Sequence, residues 1–210
     1  MSAGRATAER VLRAIWRDKM HVEPTALDLS PRSVRERYPH IWAPADALSR
    51  LLTPLPVALL TLWRDAEAGH VVFTHTPSRY APGPQPWRDG VLPSVCYLSV
   101  AELLDDPRRA LETWLRLLDH LLGSGAQTEE GWFSCGVGLT GHLQDAAQRY
   151  VQIEALGYGH QELGAHNPGD YFARTLSLYL EDPRALSVLD PPIFKLYRST
   201  LMDEGFWSRA

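Results

Sequence analysis

Lysine is almost missing from this chain of 210 residues: Lys19 and Lys195 are the only two, and the other nineteen basic residues are arginines. Codon usage in a GC-rich genome accounts for that bias, so no anion-binding role follows from it. Cysteine is equally scarce. Cys96 and Cys135 make no disulfide framework, and there is no C-x-x-C pair for structural zinc. Free thiols in a reducing cytoplasm are expected. Long apolar runs are missing: the longest stretch, LLTPLPVALLTLW, is broken by Pro54 and Pro56 and falls short of a membrane span. The N-terminal segment lacks the continuous apolar core of a secretory signal. Positive excess is missing too, with 21 basic against 25 acidic residues and a net charge of −4, which argues against a nucleic-acid surface. The expectation is a soluble cytoplasmic protein whose partners are neither nucleic acid nor membrane.

Apolar residues make up 45% of the chain and charged residues 22%, enough for a buried core in one large domain or two small ones. Val11, Leu12, Ile15 and Trp16 recur at helical spacing between Thr7 and Asp18, an amphipathic helix that needs a partner surface. Residues 22 to 42 are proline-dotted and irregular. Short helices follow over Pro44–Leu52 and Val57–Ala66. HVVFTH and VCYLSV have strand composition, and the five-proline stretch between them, Pro77 to Pro93, predicts a long loop. Asp106 and Pro107 open a helix whose apolar stripe runs from Ala110 through Trp114 and Leu118 to Leu122, and Gly123 and Gly125 mark its end. Further helices are expected over His142–Leu156, from Asn167 and Pro168 to about Pro183, and from about Pro192 to Met202. The chain is predicted to be a mainly helical α+β protein with a small sheet. An N-terminal helix and irregular arm occupy residues 1–42, and one larger domain occupies residues 43–210.

Zinc peptidases of the HExxH type place two histidines four apart on one helix, with a glutamate between them to activate the metal-bound water. No HExxH occurs here. The order of elements is nevertheless suggestive. A LPVALL helix, a strand, a proline-rich excursion and a second strand precede the helix ending LLDHLLGSG. A later segment reads NPGDYFARTLSLYLEDPRALSVLDPPIFKLYRSTL. Over roughly residues 45 to 203 this resembles the catalytic domain of anthrax lethal factor and its relatives, a zincin-type metallopeptidase family. The resemblance implies a zincin-like fold, with His120 at the first zinc-histidine position, Gly123 at the motif glycine and Asp170 at the acidic zinc ligand. It also implies that Tyr158 stands nearest the transition-state tyrosine. Leu121 replaces the catalytic glutamate, Ser124 the second histidine, and Arg174 a second acidic residue.

A leucine takes no proton from water, and loss of a general base alone costs about 10²–10⁴-fold in rate. One imidazole and one carboxylate fall short of a three-ligand catalytic zinc site. The reading is therefore a non-catalytic metallopeptidase-like domain without a cofactor. It would bind a protein or peptide, for instance by strand addition at VCYLSV. The alternative is a divergent zinc hydrolase whose metal is held by His120 and Asp170, or by His142, His160 and His166 with Asp170. Each residue also has a plainer role. His120 can be a solvated surface histidine beside Arg116, Asp170 can cap its helix and pair with Arg174, and Cys135 can be an inert thiol. A third reading makes the N-terminal helix a docking element for another protein.

Overall fold

The computed structural model describes residues 2–208, with side chains from residue 6 onward. The protein is a mainly helical α+β structure with a four-stranded mixed sheet. The chain divides into two compact units, Met1–Trp114 and Leu115–Ala210.

The first unit opens with α1 (Ser2–Lys19), which runs into the short strand β1 (Met20–Val22). After α2 (Arg32–Arg37) and α3 (Ala43–Leu52) comes α4 (Val57–Asp65). The apolar stripe of α1, Ala8, Val11, Leu12 and Ile15, is buried and packs against α4, which contributes Leu59, Leu60 and Trp63. The partner surface that this apolar stripe requires is thus in its own unit. Lys19, at its end, is buried and donates to the backbone carbonyls of Ala66, Glu67 and Ala68. Those are carbonyls just beyond the end of α4, where cationic donors are favoured.

Strands β2 (His70–Thr74), β3 (Arg79–Trp87) and β4 (Gly90–Ser99) complete the sheet in the order β1-β2-β4-β3. The β1–β2 and β2–β4 pairs are parallel, and β3 is antiparallel to β4. Met20, Val71 and Cys96 are in register, as are Val22, Phe73 and Leu98, and all six are buried on one face. The segment α5 (Glu102–Asp105) then leads to α6 (Pro107–Ser124), whose Trp114 ring meets Trp63 edge-on at 5.1 Å.

The expected loop over Pro77 to Pro93 is instead β3, its hairpin turn and the first part of β4. Proline lacks the ladder donor and is tolerated only where that donor would point away from the partner strand. Pro84 pairs with Pro93, and a pair without any N–H sits at a non-hydrogen-bonded position of the ladder. Alternation then places Pro86 with its missing N–H also turned outward. Between Ala81 and Pro84 the register shifts, Gly83 and Ser94 take φ of 75° and 54°, and the Gly83 N–H donates to Ser94 Oγ at 3.1 Å. The end of the hairpin bends over the sheet: Trp87 comes within 5.6 Å of His21, on the opposite edge strand. Strand addition at VCYLSV is closed, because β4 is paired with β2 on one side and β3 on the other.

Beneath that tryptophan, His21 Nε2 lies 3.1 Å from His70 Nδ1. The bond needs one bare nitrogen, so it survives only while one ring is neutral. Burial, then Lys19 and His21, push His70 down to about 4, while burial, then Arg88 and Lys19, lower His21. A pKa depressed from about 6.5 means that the unfolded chain takes up protons first. The stability conferred by neutral His70 is complete above about pH 6.5 and is lost as pH falls towards 4. Between pH 7 and 5 the wild type should lose about 1–2 kcal/mol more than His70→Gln in urea denaturation. Equal losses in the two proteins would sink this account.

The second unit continues α6 and, among its described residues, is wholly helical. A short 3₁₀ turn (Phe133–Cys135) precedes α7 (Gly141–Glu154), α8 (His160–Leu163), α9 (Pro168–Glu181), α10 (Pro183–Leu189), α11 (Pro191–Ser199) and α12 (Glu204–Trp207). Three of these helices begin alike. Asn167, Asp182 and Asp190 each accept from backbone N–H groups of the first turn, and each is followed by proline. The core is aromatic, with Phe133, Tyr150, Tyr171, Phe172 and Tyr197 buried together and neighbouring rings 5.7 to 6.3 Å apart. Asp190 also accepts the Tyr171 hydroxyl, tying the start of α11 to α9.

Candidate functional site

The C-terminal half of α6 is buried on every side. Leu117, Leu118, Asp119, His120, Leu121 and Leu122 are each 0% exposed. His120 is therefore not a solvated surface residue. The apolar stripe marks one buried face, and Leu117, Asp119 and His120 show that the opposite face is buried as well. The His120 ring stacks on Trp132 with centroids 4.3 Å apart and planes within 11°. Burial lowers its pKa, against the backbone carbonyls of Glu130 and Thr128, which favour the protonated ring. Its role is to hold the 128–132 segment against α6.

Asp170 sits in the first turn of α9. Its N–H donates to Asn167 Oδ1 at 2.8 Å, and Asn167 Nδ2 donates back to Asp170 Oδ2 at 2.9 Å, a reciprocal cap of the helix start. The other carboxylate oxygen contacts Arg116 Nη2 from α6. The local pairing with Arg174 does not form, because that guanidinium donates to the Leu163 carbonyl. The C-terminus of α8 takes Arg174, and α6 supplies the cation for Asp170.

The residue that organises this region is Asp119, which the sequence reading did not single out. Its carboxylate accepts from Ser134 N and from Ser134 Oγ, both at 2.7 Å, and so fixes the 3₁₀ turn to α6. Burial pushes its pKa up to about 7 against those hydrogen bonds and the nearby Arg116. An acid next to a histidine within an unbroken leucine run was the available signal, since such a carboxylate must find donors in the core.

A catalytic zinc needs three free donors around one point. His120 is sealed beneath Trp132, and the carboxylate of Asp170 is neutralised by Arg116. Position 124 is pressed against backbone: Ser124 Cβ lies 2.7 Å from where a side chain on Gly131 would begin, and its buried Oγ has no hydrogen-bond partner. Leu121 offers no base. Elsewhere, His160 Nε2 is 3.2 Å from Glu154 and its ring stacks on Tyr171 at 4.3 Å, while His142 faces Phe206 and the His166 N–H meets Asp170. Among the described residues no three His, Cys, Asp or Glu side chains converge as a metal site requires. These residues do not fit a catalytic zinc. Tyr158 is 57% exposed and makes no hydrogen bond with a described residue. Cys135 is exposed as a residue, but the surrounding chain partly desolvates its thiol and pushes the pKa up, so it is a poor nucleophile.

No helix is long and apolar enough to cross a membrane among the described residues. Comparison with models of protein families and with curated proteins finds no match to this chain.

Proposed function

We propose that this chain has the zincin-type fold of the lethal-factor catalytic domain and works without catalysis, by binding a protein or peptide partner in the cytoplasm. The observation that carries this reading is the Arg116–Asp170 ion pair. The carboxylate at the ligand position is spent on an arginine from the very helix that would carry the zinc histidines. The order of elements supports the fold: strand β2, the β3–β4 hairpin, then the α6 helix, with the expected acid, Asp170, in the first turn of α9. The absence of a base at Leu121 and the backbone packed against Ser124 support the lack of chemistry.

Plasma mass spectrometry on tag-free protein, together with a broad peptide-hydrolysis screen, tests the reading. The expected result is no stoichiometric zinc and no hydrolysis above the background of a heat-denatured sample. About one zinc per chain, lost in both His120→Ala and Asp170→Ala, would replace it with the divergent hydrolase.

A further inference from the structure

A groove of about 270 Å³ lies between α1 and α3 in the first unit. Trp16 and the buried Leu12, both on the α1 wall, give its lining an apolar part. The Trp16 ring is 6.2 Å from that of Trp42, which is 41% exposed where α3 begins. Each wall also carries one arginine, Arg13 on α1 and Arg50 on α3. Both stand four residues after an acid, Glu9 and Asp46, the spacing at which helical ion pairs form. Neither arginine makes an ion pair or hydrogen bond with a described residue. The groove is thus lined by two guanidinium groups without a partner among the described residues and by two carboxylates, of which Glu9 is already engaged in another interaction and Asp46 is not. Ser49 and Thr53 donate their hydroxyls to the backbone carbonyls of Ala45 and Ser49, which leaves them only as acceptors.

We propose that this groove is the docking site for a partner peptide that presents one carboxylate beside a bulky apolar side chain. The carboxylate bridges Arg13 and Arg50, planar forks suited to bidentate pairing. The apolar residue lies against Trp16 and Trp42. Asp46 limits the occupant to a single acidic group, since a polyacidic run would meet its charge. This gives the proposed binding domain a surface and a partner chemistry, and it rests on that reading. Its test is separate: zinc content and hydrolysis report on the domain's chemistry, and peptide capture reports on the groove.

The probe is an array of synthetic peptides, each holding one Asp or Glu next to Phe, Leu or Trp, with matched arrays carrying Asn, Gln or Lys in the acidic position. Full-length wild type should retain the acidic–apolar set about tenfold better than either control, and the preference should weaken as salt rises. The double variant Arg13→Glu/Arg50→Glu should lose that preference by about tenfold while melting as the wild type does, because both side chains are exposed. A conservative Arg13→Lys/Arg50→Lys protein should bind in between. Equal retention of all arrays, no retention at all, or an unchanged charge-reversal variant would overturn the proposal. Sedimentation equilibrium showing a wild-type dimer that the charge reversal dissociates would also overturn it, assigning the groove to a second copy of the chain.

Discussion

Gly123→Ala is expected to be the most damaging single substitution of those considered, lowering stability by about 4 kcal/mol or more and the melting temperature by about 8–16 °C. In an ordinary exposed helix the same change is favourable by about 1 kcal/mol, because alanine is the better helix former. Here the sign reverses for a steric reason. A Cβ on Gly123 would stand 2.1 Å from the Gly131 carbonyl oxygen, 2.7 Å from its carbon and 2.8 Å from the Phe133 nitrogen. All three are backbone atoms and cannot rotate aside. Either α6 or the 131–133 segment must move, and the latter is held by the Asp119–Ser134 hydrogen bonds and by the buried Phe133 ring. Gly141→Ala is the control. No atom outside its immediate surroundings lies within 4 Å of its Cβ position, so its effect should stay within about 1 kcal/mol. Thermal and urea unfolding of both variants decide the matter. A Gly123→Ala protein as stable as the wild type would show that the 131–133 backbone does not pack where described.

Asp119→Ala should cost about 3–5 kcal/mol. The loss is not that of two average hydrogen bonds. Removing the carboxylate leaves the Ser134 N–H and hydroxyl without acceptors in a place water does not reach. Asp119→Asn keeps one acceptor oxygen and should lose less, about half as much. The two variants also differ in their response to pH. Burial raises the folded-state pKa to about 7, above the unfolded value of about 3.9. A raised carboxyl pKa means that the folded protein holds its proton longer, so this group's contribution is complete below about pH 4 and declines as pH rises through 7. Stability should therefore fall between pH 5 and 8 more steeply in the wild type than in Asp119→Asn. This trend runs opposite to that of His70, and the two are separable because each is read as a difference from its own variant. Parallel pH profiles for wild type and Asp119→Asn would remove Asp119 from the account.

What could be read from the sequence is local. The NPGD, DPR and DPP segments state helix starts through an oxygen-bearing cap followed by proline, and α9 and α11 begin where those residues predict. The additional helix α10 starts at the same kind of signal, Asp182-Pro183, which in the sequence marks equally the end of α9. What could not be read is non-local. Asp170 had a plausible partner four residues away in Arg174, yet its cation comes from Arg116, 54 positions earlier in the chain (170 minus 116). The burial of His120 depends on the loop carrying Trp132, which no periodicity within α6 reveals. Strand β3 was hidden by its own composition, since Pro82, Pro84 and Pro86 are breakers by propensity and only their alternation permits an edge strand. The candidate site followed the same division: its residue losses were legible, while the closing of its space was not.

The outward rim of β3 has one further consequence. A sheet edge ordinarily offers unsatisfied donors on which a neighbouring molecule can nucleate, the first step towards fibres. At Pro84 and Pro86 those donors do not exist, and the bent hairpin tip breaks the straight template that cross-β growth requires. The prolines that disguise this strand in the sequence thus withhold, at these two positions, the donors that another chain would need to extend the sheet.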